Sequence, residues 1–112
     1  MDFDKELVKG SIEPIVLRLL QEGESYGYAI VKVVNERTGG RFQWKEGTLY
    51  PCLHRLEADG LVRSRWRESP GGKMRKYYRI TRKGLAELEK RAAAWAEFSK
   101  AVNVLLLGEA GV

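Results

Sequence analysis

The chain has 112 residues, enough for one domain with its own hydrophobic core. Apolar residues make up 44% of it and charged residues 31%, which excludes wholesale disorder. Twenty Lys and Arg against fifteen Asp and Glu give a net charge of +5, a bias that permits an anionic partner without requiring one. The single cysteine, Cys52, excludes an internal disulfide framework and favours a reducing compartment. One cysteine and one histidine do not make a structural zinc site, and no cofactor is expected. No run approaches the roughly 18 apolar residues of a membrane span. The acidic start, Met1-Asp2-Phe3-Asp4-Lys5-Glu6, lacks a signal-peptide core. A cytoplasmic protein with no membrane partner is therefore the expectation.

The first strong pattern runs from Ser11 to Leu20. Ile12, Ile15, Val16, Leu19 and Leu20 recur at helical spacing. Ser11 is the expected N-cap, which puts Pro14 third in the helix, where a missing N–H costs nothing. Leu7 and Val8 then belong to an N-terminal arm or a separate turn, and Gln21-Glu22-Gly23 ends the helix. Ser25 is the expected cap of a second helix, from about Tyr26 to Arg37, stopped by Thr38-Gly39-Gly40. A connection from Arg41 to Lys45 follows, with Phe42 and Trp44 in it.

The third helix starts at about Glu46 or Thr48 and runs to Ala58. Leu49, Cys52, Leu53 and Leu56 share one face. A start at Thr48 leaves Pro51 in the permissive first turn; a start at Glu46 removes one hydrogen bond and bends that turn. From Leu61 to Arg67 the period changes. Val62, Ser64 and Trp66 alternate with Arg63, Arg65 and Arg67, which is strand spacing. Glu68-Ser69-Pro70-Gly71-Gly72 is turn chemistry, and Lys73 to Ile80 is the return strand. Thr81 then caps a last helix, from about Arg82 to Leu107. It is roughly 39 Å long at 1.5 Å per residue, more than so small a domain needs. Leu85, Leu88, Ala92, Trp95, Ser99, Val102 and Leu106 form a heptad seam along it. Ala94, Phe98, Ala101 and Leu105 add a second stripe in the later half. Two apolar stripes on one projecting helix imply burial against another subunit.

Three helices, a hairpin and a long helix make a winged helix-turn-helix with a C-terminal extension: mainly α, with a two-stranded β-wing. The expected division is a DNA-binding domain with its N-terminal arm at 1–80 and a dimerisation helix with its tail at 81–112. The charge pattern agrees. Residues 61–83 hold nine basic groups and one acid, a net +8; the other 89 residues hold eleven basic and fourteen acidic groups, a net −3. The basic groups flank a Gly-Gly turn and are interleaved with Trp66, Tyr77 and Tyr78, as on a surface that meets phosphates. On the third helix, the face opposite the core holds Gly47, Tyr50, Pro51, His54 and Ala58, with Thr48 and Arg55 on a flank. Small and polar residues there allow approach to a DNA groove. Tyr28, near the start of the second helix, adds a hydroxyl where a helix N-terminus attracts phosphate.

Three stretches resemble the PadR-like transcriptional regulators. They are Tyr26-Gly27-Tyr28-Ala29-Ile30; Gly47-Thr48-Leu49-Tyr50-Pro51 with the run Leu53 to Val62; and Gly71-Gly72 with Arg75-Lys76-Tyr77-Tyr78-Arg79-Ile80-Thr81-Arg82-Lys83-Gly84. The resemblance covers about Gly10 to Leu107. It implies a homodimeric winged-helix repressor held by the long C-terminal helix, on a pseudo-palindromic operator in double-stranded DNA. It implies that the third helix enters the major groove while the wing touches the backbone or minor groove. The expected DNA-contacting residues are Tyr28, Lys45, Thr48, Tyr50, His54, Arg55, Lys73 and Arg75. The expected dimer seam is Leu88, Ala92, Trp95, Val102 and Leu106. Some family members bind planar aromatic or drug-like molecules in the dimer interface against a tryptophan of the last helix. Trp95 matches that place, and with Phe98 it forms the candidate site for a small aromatic effector.

Two other function classes stand beside this one. A small-molecule sensor would have the dimer-interface site as its main activity, and a winged helix used only for protein contacts would not bind DNA at moderate salt. Catalysis is not expected. His54, the lone histidine, lies on an outward helix face, Cys52 lies on a core face, and Gly71-Gly72-Lys73-Met74 lacks the spacing of a phosphate loop.

Overall fold

The computed structural model describes residue 3 and residues 8–108. The helices and strands follow in the order α1 (Ile12–Glu22), β1 (Ser25–Tyr26), α2 (Gly27–Arg37), α3 (Glu46–Ala58), β2 (Val62–Glu68), β3 (Met74–Ile80) and α4 (Arg82–Leu107). The three strands form one antiparallel sheet in the order β1-β3-β2. The fold is mainly α with a β-wing, as the sequence implies.

α1 buries Val16, Leu17 and Leu20, with Ile12, Ile15 and Leu19 packed beside them. Pro14 is third in the helix, where its lack of a donor is harmless. Ser11 does not cap it. Its backbone is already helical, and its hydroxyl donates backwards to the Val8 carbonyl at 2.7 Å. Val8 is itself buried in the core, so the chain enters α1 from a preceding turn and not from an extended residue. Leu7 lies outside the described residues.

Ser25 does not cap α2 either. Ser25 and Tyr26 pair with Tyr78 and Tyr77 as the third strand of the sheet, and α2 begins one residue later, at Gly27. Two residues are too few to show a period, so sequence spacing does not reveal this strand. After α2, Gly39 and Gly40 take positive φ, and the Gly40 amide returns to the Asn35 carbonyl at 2.7 Å. Asn35 then clamps the next loop from both sides. Its amide donates to the Trp44 carbonyl at 2.9 Å, and its side-chain oxygen accepts from the Trp44 amide at 2.8 Å. Trp44 is buried and stacks on Phe42. This fixes where α3 starts.

α3 begins at Glu46, the earlier of the two starts compatible with the sequence, so Pro51 lies inside the helix. Leu49, Cys52, Leu53 and Leu56 are completely buried, as their shared face predicts. Seven register pairs join β2 to β3, from Val62 opposite Ile80 to Glu68 opposite Met74. Thr81 caps α4 by accepting from the Gly84 amide at 3.0 Å, and its hydroxyl donates to the Gly60 carbonyl at 2.7 Å.

Gly84 holds the junction between wing and long helix. A Cβ there would drive into the Leu61 carbonyl oxygen and lie 2.7 Å from Ile80 Cγ1. The Leu61 oxygen is backbone, already accepting from the Thr81 amide, and has little room to yield. Gly84→Ala is expected to lower unfolding stability by about 3 kcal/mol, in the range of overpacked core sites. Urea unfolding followed by circular dichroism checks this; a change below about 0.5 kcal/mol, the size of an ordinary surface effect, would show that the contact relaxes freely.

Candidate nucleic-acid interface

Burying one face of α3 turns the opposite face to solvent. Tyr50, His54, Thr48 and Lys45 are exposed there. The wing stands beside this face, held by Glu57 of α3. The Glu57 carboxylate accepts a hydrogen bond from Ser64 of β2 and pairs with Lys76 of β3 at 3.8 Å. Between α3 and the wing lies a concavity of about 570 Å³. It is lined by Tyr28, Tyr50, His54, Lys73 and Arg75 of the expected DNA contacts, together with Met74, Lys76 and Trp66; of these three, the sequence singled out only Trp66, as an aromatic among the basic groups. The strand alternation that places Trp66 with Ser64 on one face was the available signal. Trp66 and Met74 are 64% and 59% exposed, large apolar surfaces for a protomer to leave in water.

Tyr50 sits against the start of α2. A Cβ on Gly27 would lie 2.9 Å from its hydroxyl oxygen, so glycine at this position leaves room for the ring. Tyr78, fully buried behind the concavity, has its phenol pKa pushed up by burial and by the nearby Glu57 carboxylate. It stays a neutral structural group. Lys45, Thr48 and Arg55 lie outside the concavity. Lys45 is the N-cap residue of α3, with no side-chain capping bond.

Arg55 faces the other way, toward α1. Its Nε donates to Glu13 at 3.2 Å, and the same carboxylate accepts from Arg91 of α4 at 2.9 Å. Arg91 also donates to Glu87 at 3.1 Å. One α1 carboxylate thus links the outward-facing helix to the long helix. Burial raises the Glu13 pKa, but the Arg91 and Arg55 guanidiniums outweigh it and hold the carboxyl below its ordinary value. Cys52 lies within reach of these charges. Burial first, and the Glu13 charge second, push its thiol up to about 12, so it is an inert core residue.

On α4, Leu88 is buried in the chain's own core, so it is already covered within one protomer. From Ala92 to Gly108 no residue is buried. Trp95 is 50% and Phe98 63% exposed, their ring centroids 6.3 Å apart. Trp95 lies between two concavities. One, about 570 Å³ and almost wholly apolar, is formed with Phe3, Val8, Ile15, Phe42 and Ala92. The other, about 510 Å³, includes Lys9, Glu13, Arg91 and Phe98. Val102 is partly exposed and Leu106 largely so. Among the described residues no helix is long and apolar enough to cross a membrane.

The family model for the transcriptional regulator PadR-like family matches residues 16–90. The chain belongs to the PadR-like family of transcriptional regulators. A transcriptional regulator of Mycobacterium tuberculosis is 35% identical over 98 residues, covering 88% of each chain. A solved transcriptional regulator from Clostridium thermocellum superposes with a TM-score of 0.84 at 34% identity, covering 93% of this chain and 98% of that one. A solved PadR-like regulator from Bacillus cereus gives 0.80 at 35% identity, covering 94% and 100%. PadR-like proteins are transcriptional regulators and not enzymes. They bind DNA and typically act as dimers.

In this PadR-like chain the Glu13 link has a pH signature. A carboxyl with a lowered folded-state pKa adds stability that is fully present above its unfolded value, near 4.5, and is lost as pH falls through the folded value. Glu13→Gln is expected to cost about 1 kcal/mol at pH 7, the upper range for a partly exposed ion pair. As pH falls below 4.5 and through the lowered folded value, the difference from the parent should shrink. Unfolding curves at pH 7, 5 and 3.5 test this; a pH-independent difference would show that the carboxylate charge contributes nothing.

Proposed function

We propose that the chain is a dimeric repressor that reads a pseudo-palindromic operator with the outward face of α3 and the adjoining wing. The observation that carries this is the concavity between α3 and the wing, which gathers Tyr28, Tyr50, His54, Lys73 and Arg75 beside the exposed Trp66. A helix with one fully buried face and a basic hairpin beside it suit a major groove and its flanking phosphates. Lys45 and Thr48, exposed at the start of α3, would meet phosphates in this reading. Arg55 joins them on release from Glu13. A two-fold dimer requires two half-sites about one or more helical turns apart. Ala92, Trp95, Val102 and Leu106 form the seam, since α4 leaves these apolar positions uncovered. Residues 1–80 act as the DNA-binding unit and 81–112 as the dimerisation helix with its tail.

The test is a gel shift with DNA upstream of the chain's own gene at two salt concentrations. Tyr50→Ala is expected to weaken binding about tenfold, the loss of one good contact. Lys73→Ala should weaken it on every sequence and reduce the salt slope by about 1 per contacting wing. Unchanged binding in variants that still fold and dimerise would overturn these assignments.

A second reading, release by a planar aromatic effector, is favoured by the exposure of Trp95 beside an apolar concavity. Phe98 borders the neighbouring concavity and would complete the contact. An effector held between the long helices would change the spacing of the two α3 helices. Glu13, bonded to both α3 and α4, is the residue through which that shift reaches Arg55. DNA affinity then falls only by the difference in effector affinity between the two dimer states. Titration with a planar cationic dye should quench tryptophan fluorescence, with at least tenfold weaker binding in Trp95→Ala. If no such dye quenches the parent, the effector site falls and the DNA-binding reading stands.

A further inference from the structure

The hairpin's basic residues do not form one cluster. The β2–β3 register divides them between two faces. Ser64, Trp66, Met74, Lys76 and Tyr78 are on the face turned to α3, where Ser64 and Lys76 meet Glu57. Alternation puts Arg63, Arg65, Arg67, Arg75 and Arg79 on the other face, with Tyr77 among them; Arg75, stacked over Tyr26, also borders the α3 concavity, and the other four do not.

This second face is built against its own stability. Arg63 is directly opposite Arg79, and Arg67 directly opposite Arg75. Like charges in direct cross-strand register repel. Among the described residues the one carboxylate paired with this face is Glu24, held between Arg65 and Arg67 at 3.1 Å from each. Neither Arg63 nor Arg79 pairs with a carboxylate among the described residues, and both are exposed. The face offers no apolar anchor. Tyr77 is buried, with the Arg67 guanidinium 4.1 Å above its ring. Arginines on alternate residues of β2 recur about every 6.8 Å, twice the axial rise between phosphates of one DNA strand. A regular polyanion fits this surface better than an apolar or mixed protein patch does.

We infer that the arginine face of the wing is a second phosphate-binding surface, which holds the duplex outside the base pairs met by α3. It rests on the DNA-binding reading but concerns a different stretch of DNA, because Arg63, Arg65, Arg67 and Arg79 lie off the α3 concavity. Bound phosphates relieve the Arg63–Arg79 repulsion, which no carboxylate among the described residues offsets; at Arg67 and Arg75, Glu24 and the Tyr77 and Tyr26 rings already offset part of it.

The experiment uses the full chain and two labelled duplexes. One is the shortest duplex from the DNA upstream of its own gene that retains specific binding. The other is that duplex lengthened by ten base pairs at each end. Fluorescence anisotropy across a salt series gives affinity and slope. Lengthening should tighten binding about tenfold and steepen log K against log salt by roughly 2 per wing, the release expected for two arginines. Arg63→Gln/Arg79→Gln should lose both gains while binding the short duplex as the parent does. Its melting temperature should be unchanged or raised, since a repulsion is removed; Arg79→Gln alone, expected to lose half the added slope, replaces it if it does not fold.

Equal affinity of the parent for both duplexes would overturn the inference. So would an equal loss on both duplexes in the double variant, which would put the arginines inside the core site. Competition by polyglutamate without any effect of DNA length would point to an acidic protein partner and also overturn it. If the parent binds neither duplex, it is the DNA-binding reading that fails.

Discussion

Complete burial of Leu49, Cys52, Leu53 and Leu56 is the constraint on which the rest depends. Four side chains at helical spacing leave α3 no freedom to rotate about its axis. That fixes which residues face solvent, and so fixes the chemistry of the opposite surface before any partner is present. Each of the three leucines contributes about 1.5–3 kcal/mol by leaving water. No rim ion pair competes with that. The helix orientation is set by hydrophobic burial, and the polar contacts around it adjust its neighbours.

Those contacts divide the work. Glu57 positions the wing against one end of the outward face. Asn35, through both amide atoms, positions the loop that precedes the helix. Glu13 joins the opposite flank to the long helix through Arg55 and Arg91. The last is the weakest, because Arg55 is mostly exposed and its pair with Glu13 is screened by water. A link of that strength is readily exchanged for a phosphate. On the proposed DNA-binding reading, Arg55 would report on the state of α4 when DNA is absent and on DNA when it is bound.

Most of the fold was legible in the sequence because its elements are long and periodic. The α3 core face and the α4 limits, from the Thr81 cap to Leu107, follow from spacing and one capping residue. Ser11 and Ser25 misled for a common reason. Serine is a good cap in isolation, but a preceding helical turn claimed one and a strand partner claimed the other. Neither competitor is visible within a few residues of sequence. Leu88 follows the heptad seam perfectly and yet is buried at home, because a spacing rule identifies a face without saying what covers it. The charge run was read as one surface because position along the chain hides register. Alternation along β2 separates its arginines from Ser64 and Trp66; the strand pairing adds which β3 residues join each face.

The close approach at Gly84 makes α4 a lever with its fulcrum at the wing. The first turn is pinned between the Leu61 carbonyl, Ile80 and the Thr81 cap, so the helix can pivot there more easily than it can slide. Trp95 is about 17 Å along the arm and Leu107 about 35 Å, at 1.5 Å per residue. A wedge that moves the helix by about 1 Å at Trp95 tilts it by roughly 3° and carries its far end about 2 Å. Displacement grows along the arm toward Leu107 and shrinks toward the wing. Any movement entering at Trp95 is therefore amplified at the exposed far end of α4, while the junction that holds the wing stays almost still.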